Sequence, residues 1–375
     1  MTILLAPDKF KGSLSATEVC AAIRESLRDT FPSLHVVSIP LADGGEGTSA
    51  LLTKFAGGIT VSVKVQDPLF REINSSYGVS PDGNIAFIEM AQASGLQLLK
   101  EEERNPLLTT SFGTGQLIEA AMNQGARNII LGIGGSATND AGIGMAQALG
   151  FSFLTASKHD LKAVGENLIH LQAIQVEHAH PLLSQTKFTL LCDVENPLCG
   201  PRGAAYVFGP QKGASQKAVE LLDNGLQQFK QLAQTTFHMD LDFPGAGAAG
   251  GMGAGAKAFL KAELSGGFDF IAAFTKLEEQ IASADLVITG EGKIDTQTLS
   301  GKVVKGVAVL ATKYQKPCIA FTGKNELSDR EIKTLGIQRV ISLVNAETSE
   351  KEAMANAYSI LKKRTTQSLT PLIKP

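Results

Sequence analysis

The architecture this 375-residue sequence predicts is α/β. A doubly wound parallel-sheet domain is formed by both termini, and a second α/β domain with a mixed sheet is inserted into it. Three observations predict it. Short β-branched runs alternate with helical patterns at the start of the chain. Strict period-two alternation replaces that rhythm from about residue 60. The strand–loop–helix rhythm then returns from about residue 286. The expected boundaries are residues 1–62 and 271–375 for the discontinuous, Rossmann-like domain and 63–270 for the insertion.

Residues 2–6 read as the first strand, cut off by Pro7. After the loop PDKFKGS, Ser15 and Glu18 form a capping box, and Val19, Ile23 and Leu27 share one helical face. Residues 34–39 are the second strand. The loop PLADGGEG leads into a helix through Leu51, Leu52 and Phe55, stopped by Gly57-Gly58. Residues 60–65, 73–79 and 85–90 form an antiparallel meander, its second turn made by Pro81-Asp82-Gly83-Asn84.

A helix over 114–123 precedes a buried strand over 129–133, which runs into Gly132, Gly134 and Gly135. Ala141, Met145, Ala148 and Leu149 then recur at helical spacing, up to a C-cap at Gly150. A glycine turn between strand and helix aims bare N–H groups and the positive end of a helix at one point, which suits a phosphate. Ser136, Thr138, Asn139 and Asp140 crowd this turn with more short polar side chains than a cap requires.

Further on, residues 188–192 read as a strand and 217–235 as a helix. The glycine-saturated run 244–260 follows a poor strand, so it reads as a flexible connector or a packing surface. Strands over 286–289, 318–321 and 340–343 carry the loops GEGKID and TGKN. Helices run through Val303, Val307 and Leu310 and over 352–361.

Hydrophobic residues at 43% and charged residues at 19% fit a soluble globular chain. A net charge of -3 gives no reason to expect nucleic acid or an anionic membrane as partner. No apolar run spans a bilayer and no signal peptide opens the chain, so a cytoplasmic protein is expected. The four cysteines form no C-x-x-C pair and no zinc-ligand spacing with the six histidines, so they read as reduced, buried thiols.

In an open parallel sheet, ligands bind beyond the carboxyl ends of the strands. Three loops at such ends mix glycine with charge: Asp8, Lys9, Lys11 and Ser13; Asp43 and Glu46; Glu291, Lys293 and Asp295. Together they supply what phosphoryl transfer requires: carboxylates for Mg²⁺ or a hydroxyl proton, lysines for phosphate charge, and glycine amides to cradle phosphates. Gly292-Lys293, Gly301-Lys302 and Gly323-Lys324 all fail the P-loop pattern, and no nucleophile elbow is present. A dinucleotide reading of GIGGSA wants an acid after the next strand, where Thr155-Ala156-Ser157 stand instead. Residue chemistry thus reaches a metal-assisted, phosphate-binding α/β enzyme without naming the acceptor.

The chain carries, in order, the segments APDKFKGSLSATEV, PLADGGEGT, IEMAQASGL, RNPLLTTSFGTGQLI, LGIGGSATNDAGIGMAQALG, CDVENPLCGPRGAAYVFGPQKGA, PGAGAAGGMGAGAKAFL and ADLVITGEGKIDTQTLSGK. In these segments it resembles the bacterial type I glycerate kinases. The resemblance implies phosphorylation of D-glycerate by ATP with Mg²⁺, in a two-domain α/β enzyme whose active site lies in the interdomain cleft. It favours 2-phosphoglycerate as product. The alternatives are a 3-phosphoglycerate-forming enzyme or a kinase of another small hydroxy acid. A homodimer is compatible with this picture.

Site roles follow from the resemblance. Asp8 or Asp193 would take the hydroxyl proton, and Lys11 and Lys293 would stabilise the transferring phosphoryl group. Lys9 stands where many relatives carry serine, so Lys11 is the lysine carried over. Asp43, Glu46, Asp140 and Asp295 are the candidates for holding Mg²⁺. Ser13, Gly134, Gly135, Ser136, Asn139 and Glu291 are those for the nucleotide. Arg104, Arg202 and Lys212 are those for the substrate carboxylate. Three have a structural alternative: Asp193 could cap the turn before Pro197, Asp140 could cap its own helix, and Arg104 could pair with Glu101 or Glu102.

Overall fold

The computed structural model describes residues 1–299, 301, 303–371 and 373. Ser300 and Lys302, from the end of the last matching segment, lie outside the described residues. The chain divides into two compact units, Met1–Asp43 with Phe268–Pro375, and Gly44–Gly267. In chain order the strands are β1 (Thr2–Leu5), β2 (His35–Ser38), β3 (Ile59–Gln66), β4 (Glu72–Val79), β5 (Ile85–Glu89), β6 (Asn128–Gly132), β7 (Ser152–Leu154), β8 (Ala173–Gln175), β9 (Lys187–Leu191), β10 (Glu263–Ser265), β11 (Leu286–Ile294), β12 (Cys318–Asn325) and β13 (Arg339–Ser342).

The first unit holds a five-stranded sheet in the order β13-β12-β11-β1-β2, with every neighbouring pair parallel. Both termini therefore build it. Its core gathers Ile3 and Leu5 with Ile288 and Phe321 from the strands, and Val19, Ile23 and Leu361 from the helices. The Ser15–Glu18 capping box opens the helix Ala16–Thr30. β11 and β12 run several residues further than their apolar stretches suggest, so GEGKI and TGKN are strand rather than loop. Register pairs them as far as Ile294 with Asn325. Glycine permits this close pairing: a Cβ on Gly290 would stand 2.2 Å from the Phe321 carbonyl, and one on Gly323 would stand 2.5 Å from that of Gly292.

The second unit holds a six-stranded mixed sheet, β10-β9-β6-β5-β4-β3. β3, β4 and β5 form the antiparallel meander, and β5, β6, β9 and β10 pair in parallel. A short hairpin, β7 with β8, stands apart. The unit begins at Gly44 rather than at residue 63 because the helix Thr48–Phe55 packs on this sheet. A Cβ on Gly78 of β4 would overlap Thr53 of that helix at 1.5 Å. Alternation at residue 60 marks the sheet but not the helix that covers it.

The glycine-rich run is no flexible connector. Ala248–Leu260 is a buried helix with left-handed geometry at Ala249, Gly250 and Gly251. A Cβ on Gly250 would stand 2.0 Å from the Thr138 carbonyl, and one on Gly255 would stand 2.1 Å from that of Ala141. Its glycines let a helix lie directly against the 138–141 backbone. The four cysteines form no disulfide, and Cys192 and Cys199 are only partly buried, unlike Cys20 and Cys318.

Candidate active site

The loop after β1 is held against β11, where the Asp8 amide donates to the Gly290 carbonyl at 2.8 Å. A Cβ on Gly292 would stand 2.9 Å from the Lys11 amide nitrogen, so glycine there lets the strand pass the loop. One cavity of about 620 Å³ opens at this end of the parallel sheet. It is lined by Asp8, Lys11, Ser13, Asp43, Glu291, Lys293 and Asp295, seven of the residues singled out from sequence. Its position at the carboxyl ends of β1 and β11 follows the rule for open parallel sheets. Its size falls within the usual range for small-molecule sites.

Asp8 is only 9% exposed. Burial, then the negative charge of Asp43, pushes its carboxyl up to about 7. The Lys9 amide, which donates to Asp8 Oδ1 at 2.6 Å, opposes that rise, while Glu291 adds to it. Burial also raises Glu291, against the Thr298 hydroxyl that donates to it at 2.6 Å, and Asp295 and Asp43 raise it further. Asp295 is held low, first by the Gln297 amide and then by the Lys293 ammonium at 3.3 Å. Carboxylates that raise one another's affinity for protons are a donor set a cation would relieve. Among the described residues, no group of three or more His, Cys, Asp or Glu could hold a metal by itself. Mg²⁺ needs only one or two carboxylates alongside phosphate oxygens and water, so Asp43 and Glu291 fit it.

The 133–142 segment of the second unit is built differently from its expected form. The helix after β6 is Ile143–Ala148, so ten residues separate strand from helix. Asp140 is completely buried. Its carboxylate accepts from the Ser111 amide and hydroxyl at 2.8 and 2.7 Å, and from the Gly142 and Gly144 amides at 3.1 and 3.3 Å. Ser111 Oγ in turn accepts from the Met145 amide. The donors of this helix N-terminus are thus already engaged, which removes the reason to seat a phosphate there. It also makes Asp140 a pillar of its own loop and a cap of the helix that follows. Gly134 and Gly135 are exposed, and Gly135 takes a left-handed φ of 73°.

Lys212 is 2% exposed and reaches this loop from the short turn Pro210–Lys212. Its ammonium donates to Ser136 Oγ at 2.8 Å and to the Thr138 carbonyl at 2.7 Å. Burial pulls its pKa down to about 7, with Asp140 opposing. Asn139 is fully buried, and among the described residues neither polar atom of its side chain has a hydrogen-bond partner. Arg104 lies beside the same turn: a Cβ on Gly213 would stand 2.1 Å from the Arg104 carbonyl. Its Nε is buried without a partner among the described residues. Among the described residues it makes no ion pair with Glu101 or Glu102.

The remaining candidates, Asp193, Arg202 and Glu46, belong to the second unit. The Oδ1 of Asp193 accepts from the Gly267 amide at 2.8 Å. Arg202 is exposed, and its carbonyl accepts from the Asn196 side chain. Glu46 is exposed in the second unit and does not line the cavity.

A family model described as "Glycerate kinase family" matches residues 3–373, and so spans both units. A glycerate 2-kinase from Escherichia coli strain K12 is 46% identical over 359 residues, covering 96% of this chain and 94% of that one. The chain belongs to the glycerate kinase family. A glycerate kinase from Bacillus subtilis strain 168 is 41% identical, with 100% and 98% of the two chains covered. A crystal structure assigned as a glycerate kinase 2 from Salmonella typhimurium LT2 superposes with a TM-score of 0.89 at 43% identity, covering 99% of this chain and 98% of that one.

Within this glycerate kinase, sequence reasoning missed several residues of the cavity. Thr298, Lys324 and Glu350 also line it. Lys324 stands beside Gly323, but from sequence the pair reads only as a failed P-loop. The signal lay in alternation: Glu291 and Lys293 on β11, like Thr322 and Lys324 on β12, are two apart and share a strand face.

Proposed function

We propose that this enzyme transfers the γ-phosphoryl group of ATP to the 2-hydroxyl of D-glycerate, with Mg²⁺, as a bacterial type I glycerate kinase of the cytoplasm. The observation that carries the proposal is the cavity at the end of the parallel sheet. There a buried carboxylate, Asp8, shares one space with two further acids, Asp43 and Glu291, and with Lys11 and Lys293. This is the complement phosphoryl transfer needs: a base, anionic metal ligands and cations for the phosphates. The 46% identical relative, named a glycerate 2-kinase, supports the choice of hydroxyl.

Asp8 takes the proton of the acceptor hydroxyl as its oxygen bonds to the γ-phosphorus and the bond to ADP breaks. Asp8 is preferred to Asp193 because it sits among the other groups the reaction needs, whereas Asp193 holds the Gly267 backbone. Lys11 and Lys293 stabilise the charge on the transferring group. Asp43 and Glu291 would hold Mg²⁺, which when bound neutralises phosphate charge. Arg104 is assigned to the glycerate carboxylate, because a buried guanidinium nitrogen with no partner among the described residues calls for an acceptor. No helix among the described residues is long and apolar enough to cross a membrane.

Phosphorus NMR of the product from D-glycerate and ATP tests the proposal. A 2-phosphate resonance is expected. A 3-phosphate resonance would overturn the position, and the absence of any phosphorylated glycerate would overturn the activity.

A further inference from the structure

Lys293 and Lys324 are register partners on the adjacent parallel strands β11 and β12, and both line the cavity. Paired residues on neighbouring strands point to the same face, roughly 5 Å apart. One carboxylate spans the two ammonium groups. Glu326 Oε2 lies 2.9 Å from Lys293 Nζ, and Glu326 Oε1 lies 3.1 Å from Lys324 Nζ. Lys324 has a second, weaker partner in Glu350 at 3.6 Å. Two oxygens of one anion bridging two lysines is also the arrangement a phosphate group would adopt.

The side chains involved are 41–49% exposed. Ion pairs this wet are individually weak and readily exchanged for another anion. A triphosphate carries several charges where Glu326 carries one.

We propose that Lys324 is a second phosphate-binding lysine, forming a two-point clamp with Lys293, and that Glu326 occupies the clamp until the nucleotide's phosphates displace it. The proposal rests on the reading of this cavity as the phosphoryl-transfer site. It adds a residue that reading did not contain and a self-competing anion that sets nucleotide affinity.

The test is calorimetric binding of ADP and of inorganic tripolyphosphate to the full chain. Wild type, Lys324→Gln, Glu326→Gln and the double variant are compared, with thermal unfolding confirming that each is folded. Lys324→Gln is expected to weaken both ligands about tenfold. Glu326→Gln is expected to tighten both by about two- to fivefold, the worth of exposed ion pairs no longer competing. In the double variant the gain from Glu326→Gln should shrink. Weaker binding in Glu326→Gln would make Glu326 a support for the lysines and overturn the proposal. Unchanged binding in Lys324→Gln would overturn it equally. Because the readout needs no acceptor, it is separable from the parent reading: a wild type that binds tripolyphosphate but does not phosphorylate glycerate fails that reading alone.

Discussion

Replacing Asp8 by Asn should make the protein both slower and more stable, and the pH dependence of the gain follows from the structure. Asn keeps the shape and can still accept from the Lys9 amide. What it removes is a carboxyl whose pKa stands at about 7 in the fold against 3.8 for the ordinary group. Between those values the folded protein binds a proton that the unfolded chain releases, so the Asp8 contribution to stability falls as pH rises. Below about pH 4 both states are protonated and the variant gains nothing. Above about pH 7 the full cost of burying the charge beside Asp43 and Glu291 is present. A rise of that size in one carboxyl is worth about 4 kcal/mol. Thermal unfolding of ligand-free wild type and Asp8→Asn from pH 4 to pH 8 should therefore show curves that diverge across that window, with the variant higher by several degrees at pH 8. Turnover should fall about 10²- to 10⁴-fold, the usual contribution of a positioned base. Near-normal turnover would remove Asp8 as the base. A variant less stable than wild type at pH 8 would refute the electrostatic account of the cavity.

Three other perturbations discriminate among the remaining roles. Lys212 titrates near 7 in the fold against 10.5 ordinarily, so the unfolded chain holds the extra proton between those values and stability should rise with pH there; Lys212→Met should flatten that rise in denaturant unfolding at pH 7 and pH 9, and equal slopes would contradict it. Asp140→Ala strips four donors of their shared acceptor and should cost about 3–5 kcal/mol, read as a large fall in Tm or loss of soluble protein. Arg104→Gln should raise the KM for glycerate about tenfold or more while leaving the KM for ATP nearly unchanged, and an unchanged glycerate KM would release Arg104 from that role.

The parallel sheet was legible because its strands are apolar runs and its first helix carries an explicit cap, Ser15 with Glu18. The cavity residues at the ends of β1 and β11 were legible because charge stands beside glycine where a parallel sheet opens. Lys324 and Glu326 were not, because glycine ordinarily signals a turn, whereas Gly290, Gly292 and Gly323 let β11 and β12 continue at close quarters. The setting of Asp140 was hidden for a different reason. Its sequence neighbours are polar, but its carboxylate accepts from Ser111, twenty-nine residues away in the chain, which nothing local reveals. Long-range packing likewise decides the 244–260 run, which from sequence reads as a flexible connector or a packing surface and proves to be the latter. Its glycines serve the Thr138 and Ala141 backbone, which nothing local to that run reveals.

The central claim is that the cavity at the end of the parallel sheet receives the nucleotide's phosphates. A crystal structure of the protein with a non-hydrolysable ATP analogue and Mg²⁺ measures this directly. The account predicts phosphate oxygens within hydrogen-bonding distance of Lys11 and Lys293, with the γ-phosphate nearest Asp8. Phosphates bound instead on the Gly134–Ser136 turn, with Lys293 still paired to Glu326 and Asp295, would contradict it.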